Sequence, residues 1–330
     1  MRTSLIGALA VAGLVGAAGL SGSVPREPAQ PPGLARSAAV PSFSLGVLRR
    51  DGVVIPIVSF GSGGWINRWP APGRRVDIPI SVEDSPRGWW RDRRPIADWT
   101  AWPLGGESRP IRVTSLTNLV VECEPQVALK TDYRSANRPE SPKIQPYPKD
   151  GLATSGEVRI EAVRLLDVSS PEWTAIAGTV GAKLTAAEPG AFKEAQLKRP
   201  VPDAVRSGTP FTLEVLYATP GVAPGTSVLY FEGIKRYPGK ETVPRGLMTY
   251  AVGFAMLGFK GSPDVLVSAT LTDARRQGLV YTMPLGSFRM GDRLFWIVQR
   301  SAWGYERFDV VEIRGEEILT IFKTPGGVCD

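Results

Sequence analysis

The sequence predicts a mainly β protein made of antiparallel β-rich modules. The modules are sandwich-like, with a small β-propeller as the alternative, and one or two short helices accompany them. Apolar residues fall in short runs separated by Gly, Pro or Asp, the rhythm of strands and turns. Asp51-Gly52 lies between two such runs and has the chemistry of a tight hairpin turn. Hydrophobic residues make up 43% of the 330 residues and charged ones 22%, enough to bury a real core.

The elements follow in order. Ser44 to Arg50 and Val53 to Phe60 read as a hairpin about Asp51-Gly52. Val76 to Val82, Ile111 to Leu116 and Asn118 to Lys130 read as strands. Residues 131–156 are polar and carry Pro139, Pro142, Pro146 and Pro148, so they read as a linker or a long surface loop. Residues 41–130 then form an N-terminal Trp/Arg-rich module and residues 157–330 a C-terminal one. Glu157 to Leu166 alternates Val158, Ile160 and Ala162 with Arg159, Glu161 and Arg164, the pattern of a half-buried strand or a short helix. Ser170-Pro171-Glu172 is an N-cap, a proline at the first helical position and an acid in the first turn, which predicts helical pieces around 171–178 and 188–198. From Pro210 onward eight strands are expected: Phe211 to Ala218, Ser227 to Phe231, Met248 to Leu257, Val265 to Leu271, Gly278 to Met283, Arg293 to Gln299, Phe308 to Ile313 and Glu317 to Phe322. No internal repeat of fixed period is present.

Arg2 and then an apolar run from Leu5 to Leu20 ending in small residues have the layout of a secretory signal peptide, assigned to residues 1–23. Cleavage after Ala18 and after Ser23 both fit, and the rival reading is an uncleaved anchor. The run is short and Gly/Ala-rich for a spanning helix, which takes about 20 residues. Residues 24–40 carry four prolines between Pro25 and Pro32 and read as an extended tether. Cys123 and Cys329 are the two cysteines. In an oxidising compartment they form one disulfide, the rival being two free or buried thiols. The bond would close a loop of about 200 residues, worth about 4–5 kcal/mol in chain-entropy terms. The expected location is therefore periplasmic or extracellular.

The chain has no histidine. Ser-His-Asp triads, Cys-His dyads and histidine metal sites are thereby excluded, and two cysteines alone do not make a structural zinc site. Phosphate-loop, dinucleotide and nucleophile-elbow motifs are missing, as are a Ser-x-x-Lys dyad and an Asp-rich calcium loop. No metal and no cofactor is expected. Carboxylate pairs are what an enzyme could use here, as in glycoside hydrolysis. Glu83 with Asp84, Asp98 beside Trp99, and Glu306 with Asp309 are the candidates near aromatics, and their spacing singles none of them out.

The net charge is +7. Residues 41–150 hold 16 basic against 12 acidic side chains, so the first half is the basic one. Six of the nine tryptophans lie between residues 65 and 102. The candidate ligand-binding residues are Trp65, Trp69, Arg87, Trp89, Trp90, Arg91, Arg93, Arg94, Trp99 and Trp102. Flat indole faces beside Arg stack on sugar rings, or sit at a lipid or protein surface. Such interleaving also suits single-stranded nucleic acid, which export argues against. The competing reading is that the tryptophans pack a satellite core under loops while the arginines cap them. A second cluster, Phe295, Trp296, Trp303, Tyr305 and Phe308, reads as core because its strand is almost wholly apolar.

The resulting expectation is an exported, non-catalytic binding or scaffolding protein of the cell envelope. Its partner would be a polysaccharide or an envelope protein, with peripheral membrane contact as a further option and no nucleic acid. The alternatives are a carboxylate-based glycoside hydrolase and a purely structural envelope protein.

Overall fold

The computed structural model describes residues 42–329, apart from 78–79, 91–95, 138–145, 196, 198–200, 240–244, 259–263, 274–278 and 315–316. The leader 1–23, the tether 24–40 and Arg91, Arg93 and Arg94 lie outside the described residues.

The first hairpin forms where its turn chemistry places it. Strand β1 (Phe43–Arg49) pairs antiparallel with β2 (Val53–Gly61). Gly52 turns between them at φ 83°, and a Cβ there would lie 2.5 Å from the Tyr133 carbonyl oxygen, so glycine is required twice over. A short β3 (Gly64–Ile66) follows, then β4 (Asp98–Pro103), β5 (Arg109–Val121), β6 (Glu124–Thr131) and β7 (Lys149–Gly156). The strands run β1-β7-β4-β5-β6-β2, and β1 also pairs with β2, which closes a six-stranded antiparallel barrel. All six strands send apolar side chains into one cluster: Leu48, Val54, Trp99, Ala101, Ile111, Val113, Leu116, Val127, Leu129 and Ala153. A barrel of this size is filled by its own side chains.

This half differs from the sequence reading at several places. Asn118 to Lys130, expected as one strand, is split: β5 runs on to Val121, residues 122–123 turn, and β6 begins at Glu124. Lys149–Gly156, inside the stretch read as linker, is a barrel strand buried along nearly its whole length. Its Gly151 and Ala153 were too small to register as a strand signal. Val76 to Val82 forms no strand in its described residues. Instead, the Asn118 side chain bonds both the Val76 amide and its carbonyl, standing in for a strand neighbour.

In the second half β8 (Arg164–Leu165) is short, and the expected element over Glu157 to Leu166 reduces to it and one bridge from Glu161 to Ser287. Helix α1 (Pro171–Ala195) is continuous across Pro189, where two pieces were expected. The Ser170 hydroxyl accepts the Trp173 amide at 3.2 Å, as its capping chemistry requires. One face of the helix packs Ile176 and Val180 with Leu213, Leu216 and Phe231 of the sheet beneath. On either side of Pro189 the helix stays anchored, Glu188 by its buried ion pair with Lys235 at 2.9 Å and Ala191 by burial. Helix α2 (Asp203–Gly208) leads into β9 (Thr212–Pro220), β10 (Ser227–Arg236), β11 (Met248–Leu257) and β12 (Asp264–Thr272). With β8 these form a five-stranded sheet. Strands β13 (Tyr281–Met290), β14 (Arg293–Ala302), β15 (Tyr305–Arg314) and β16 (Glu317–Val328) form a four-stranded one.

The four-stranded sheet is covered on both faces. Leu294, Trp296, Val298, Val311 and Ile313 point to Val228, Tyr230, Phe254 and Met256 of the five-stranded sheet. Phe295, Ile297, Phe308 and Val310 point to Leu45, Val47, Ile55, Ile57 and Leu152 on the outside of the barrel. The layers therefore run barrel, four-stranded sheet, five-stranded sheet, helix. The sandwich expected from sequence is the pairing of the two sheets, and they stack as layers with no propeller blades. Two polar features pin the barrel seam. Lys149 Nζ meets Glu306 Oε2 at 2.7 Å with both side chains buried, and Gln299 donates to the same oxygen at 2.9 Å. Burial pushes the Lys149 ammonium down, and Glu306 pulls it back.

The disulfide is present. Cys123, in the turn between β5 and β6, is bonded to Cys329 across 206 residues. Glu122 beside it adopts φ 52°, a conformation that non-glycine residues rarely take, to make that turn. Replacing both cysteines with serine is expected to lower unfolding stability by about 5 kcal/mol, since loop-closure entropy grows with loop length. Urea unfolding of the two proteins checks this. An unchanged midpoint would show that the noncovalent contacts of β16 with the barrel already restrain the C-terminus in full.

Candidate functional site

The Trp/Arg segment lies at one mouth of the barrel. Strands β2 and β6 share two residue pairs, Val53–Lys130 and Val54–Leu129, and then part. The long connection from β3 to β4 fills the gap. Trp69 drops into it and donates its indole N–H to the Val127 carbonyl at 2.8 Å. The Leu116 amide donates to the Ile80 carbonyl, tying the connection to β5. A 3-10 turn, Arg87–Trp90, sets Trp90 inside and leaves Arg87 outside. Trp90 donates to Ser85 Oγ at 2.6 Å, and Ser85 donates on to the Val82 carbonyl. Trp69 meets Trp89 and Trp90 edge to face, with ring centroids 5.2 and 5.4 Å away.

The expected residues therefore take different places. Trp69, Trp90 and Trp99 are core, and each indole N–H has a partner in the protein. Trp102 is half-buried and donates to Thr154 Oγ1. Trp65 is half-buried among Phe43, Phe60, Phe288 and Phe295, and its indole N–H has no partner among the described residues. Trp89 is half-buried, and Arg87 is exposed beside it. Arg68, Arg74 and Arg75 are exposed on the same connection, with Asp77, Glu83 and Asp84 among them, so the rim carries both signs.

Two narrow open clefts meet at this mouth. One, with room for little more than a water molecule, is lined by Ser42, Ser44, Ser59, Trp90, Ile96 and Ser155. The other, as shallow, lies between Ser59, Asn67, Arg68, Trp69, Trp89 and Trp99. Ser44 and Ser59 share a hydrogen bond of 2.7 Å. Ser155 is buried, and its hydroxyl has no partner among the described residues. An orphan buried hydroxyl costs about 1–3 kcal/mol unless something bonds it. These serines were not read as site residues. They are register partners near the strand ends: Ser44 lies opposite Ser59 in the β1–β2 hairpin and opposite Ser155 across β1–β7, so the hairpin register was the available signal for the first pair.

Among the described residues the carboxylates considered for hydrolysis line neither of these clefts. Glu306 is bound to Lys149 and Gln299 in the seam. Asp309 is fully buried between Arg300 and Arg307, each at 2.7 Å. Glu83 and Asp84 are exposed in a turn, where Asp84 accepts from Ser81. Asp98 is exposed at the start of β4. Among the described residues no group of three or more Cys, Asp or Glu is placed to hold a metal ion. No described helix is long and apolar enough to cross a membrane.

In the second aromatic cluster one tryptophan departs from its expectation. Trp303, read as core, is 97% exposed at the tip of the β14–β15 hairpin. Its neighbours Trp296 and Phe295 are fully buried as expected. The Trp303-Gly304 pair makes the turn, with Gly304 at φ 64°, and a turn tip has no layer above it. Gly304 two-residue turn chemistry was the available signal.

The chain matches no family model, no curated protein and no solved structure in the comparisons made.

Because eight of the nine tryptophans are buried or half-buried, Trp303 dominates collisional quenching. Trp303→Phe is expected to remove most iodide quenching and shift the remaining emission to the blue. Quenching unchanged by the substitution would mean that the mouth tryptophans are open to solvent.

Proposed function

We propose that this is an exported, non-catalytic binding or scaffolding protein of the cell envelope, and that it holds a hydroxyl-rich polymer at the mouth of its barrel. The observation that carries the reading is the rim itself: the half-exposed Trp89 ring lines a cleft with Ser59, Asn67 and Arg68, and the exposed Arg87 stands two residues before it in the same turn. An aromatic surface flanked by polar side chains suits the rings and hydroxyls of a sugar. The clefts are narrow. They suit a substituent of a chain lying across the mouth better than an engulfed ring. The packed tryptophans behind the rim keep the surface preorganised, which lowers the ordering cost of binding. A disulfide between residues so far apart in the chain fits an oxidising compartment, where envelope polysaccharide is met.

The test is sedimentation of the chain with purified peptidoglycan and with soluble polysaccharides. Arg87→Ala and Trp89→Ala are each expected to weaken binding about tenfold or more, the usual effect of truncating an aromatic or arginine anchor. Thermal unfolding of the variants separates lost contact from lost packing. Binding to none of the polymers, or binding indifferent to both substitutions, would leave the purely structural role as the reading.

A further inference from the structure

The buried polar cluster at the barrel seam is placed for more than an ion pair. Lys149 opens β7 of the barrel. Gln299 and Glu306 are diagonal neighbours on β14 and β15, since Gln299 lies opposite Phe308 and Ser301 opposite Glu306. Both therefore share the face of the four-stranded sheet on which Phe308 meets the barrel. Glu306 Oε2 accepts from Lys149 Nζ at 2.7 Å and from Gln299 Nε2 at 2.9 Å. One carboxylate oxygen thus holds an amine and a carboxamide next to each other. All three side chains are sealed from water, and the centre of the Phe308 ring stands 5.9 Å from the amine.

The hydrogen bonds around these groups favour passing a proton from Lys149 to Glu306. Lys149 Nζ has two acceptors among the described residues, Glu306 and the Tyr147 carbonyl at 2.7 Å. Two acceptors satisfy a neutral amine, whereas an ammonium has a third N–H to place. Burial pushes the lysine toward its neutral form, and Arg49 adds to this, against the pull of Glu306 and Glu122. Across the cluster, Glu306 Oε1 and Gln299 Oε1 are both buried, and neither has a partner among the described residues. Turning the Gln299 amide over would not help, because its Nε2 already serves Glu306 Oε2. A proton on Glu306 Oε1 satisfies both orphan oxygens at once. Acid and amide then pair through two hydrogen bonds, Nε2–H to Oε2 and Oε1–H to the Gln299 carbonyl oxygen. The result is a neutral, nucleophilic amine beside a carbonyl polarised by an acid, the starting arrangement for acyl transfer.

We propose that Lys149 and Gln299 become joined through an amide bond between their side chains, with Glu306 as the catalytic acid and base and ammonia as the leaving group. Lys149 Nζ attacks Gln299 Cδ. Glu306 gives its proton to the departing Nε2 and receives the one shed by Nζ. The Nζ–Cδ bond forms, the Cδ–Nε2 bond breaks, and Glu306 returns to its starting state, so the step needs no other reagent. The folded core supplies the proximity that two free side chains lack. The bond ties β7 of the barrel to β14 of the four-stranded sheet, and unlike Cys123–Cys329 it survives a reducing agent. It stands whether or not the barrel mouth binds a polymer.

Mass spectrometry of tryptic peptides from the purified full chain, unfolded and reduced, tests it. The peptide Leu294–Arg300 is expected to be joined to the peptide that contains Lys149, at about 17 Da below their summed mass, the loss of one ammonia. Glu306→Gln cannot exchange the proton and is expected to lower the joined fraction at least about tenfold. Gln299→Met leaves the Lys149–Glu306 pair in place, removes the acyl donor and is expected to abolish the link. Separate wild-type peptides at full mass overturn the proposal, and this result does not depend on any variant folding. A link about 18 Da below the summed mass, between Lys149 and the peptide that carries Glu306, also overturns it, because the carboxylate would then be the acyl donor with loss of water. A link that persists in Gln299→Met, or that forms unchanged in Glu306→Gln, overturns it as well.

Discussion

The four-stranded sheet β13–β16 is buried on both faces, and the rest of the molecule is arranged around that constraint. A sheet between two apolar layers must be apolar on both sides, and Arg293 to Gln299 meets this with Leu294, Trp296 and Val298 on one face and Phe295 and Ile297 on the other. Each such side chain contributes about 1.5–3 kcal/mol of burial. Removing the sheet would expose both the outer wall of the barrel and the inner face of the five-stranded sheet. The charges admitted to these layers are matched. Glu306 has Lys149, Asp309 has Arg300 and Arg307, and Glu312 lies between Arg293 and Arg314, which hold its carboxyl down at about 2.

The same constraint shapes the barrel mouth. One side of the barrel is committed to the sheet, so its interior has to be closed by its own connections. The segment between β3 and β4 does this with Trp69 and Trp90, and their indole N–H groups bond Val127 and Ser85. What is left for the outside is a rim of arginines, a half-buried Trp89 and a ring of serines. The packing reading of the tryptophans and a binding role for the rim are thus compatible. The buried rings give rigidity, and the exposed groups are those the proposed contact would use.

Much of the β organisation was legible because its signals are local. Asp51-Gly52 marks a hairpin by turn chemistry, and each of the eight strands expected after Pro210 overlaps a strand of the two sheets. Where the signal was not local, the reading fell short. Lys149–Gly156 has too few large apolar residues to look like a strand, and it is one because β1 and β4 lie on either side of it. Val76 looked like a strand residue, but its backbone partner is the Asn118 side chain. The candidate site was half legible. Its tryptophans announce themselves by number. Ser44 and Ser59 meet in the hairpin itself, whereas Ser155 joins them through the β1–β7 pairing, which no local signal announces. Trp303 was assigned to the core with its neighbours because its strand is apolar, whereas the turn that ends the strand places it in solvent.

A sheet covered on both faces couples the barrel and the outer sheet into one cooperative unit. Hydrogen exchange along a urea series, followed by mass spectrometry, tests it directly. Peptides from β1 and β2 in the barrel and from β10 and β11 in the outer sheet should lose protection at the same urea concentration, together with β14 between them. Barrel peptides that exchange at distinctly lower urea, while β10, β11 and β14 stay protected, would contradict it. The barrel would then be a separate folding unit resting on the sheet.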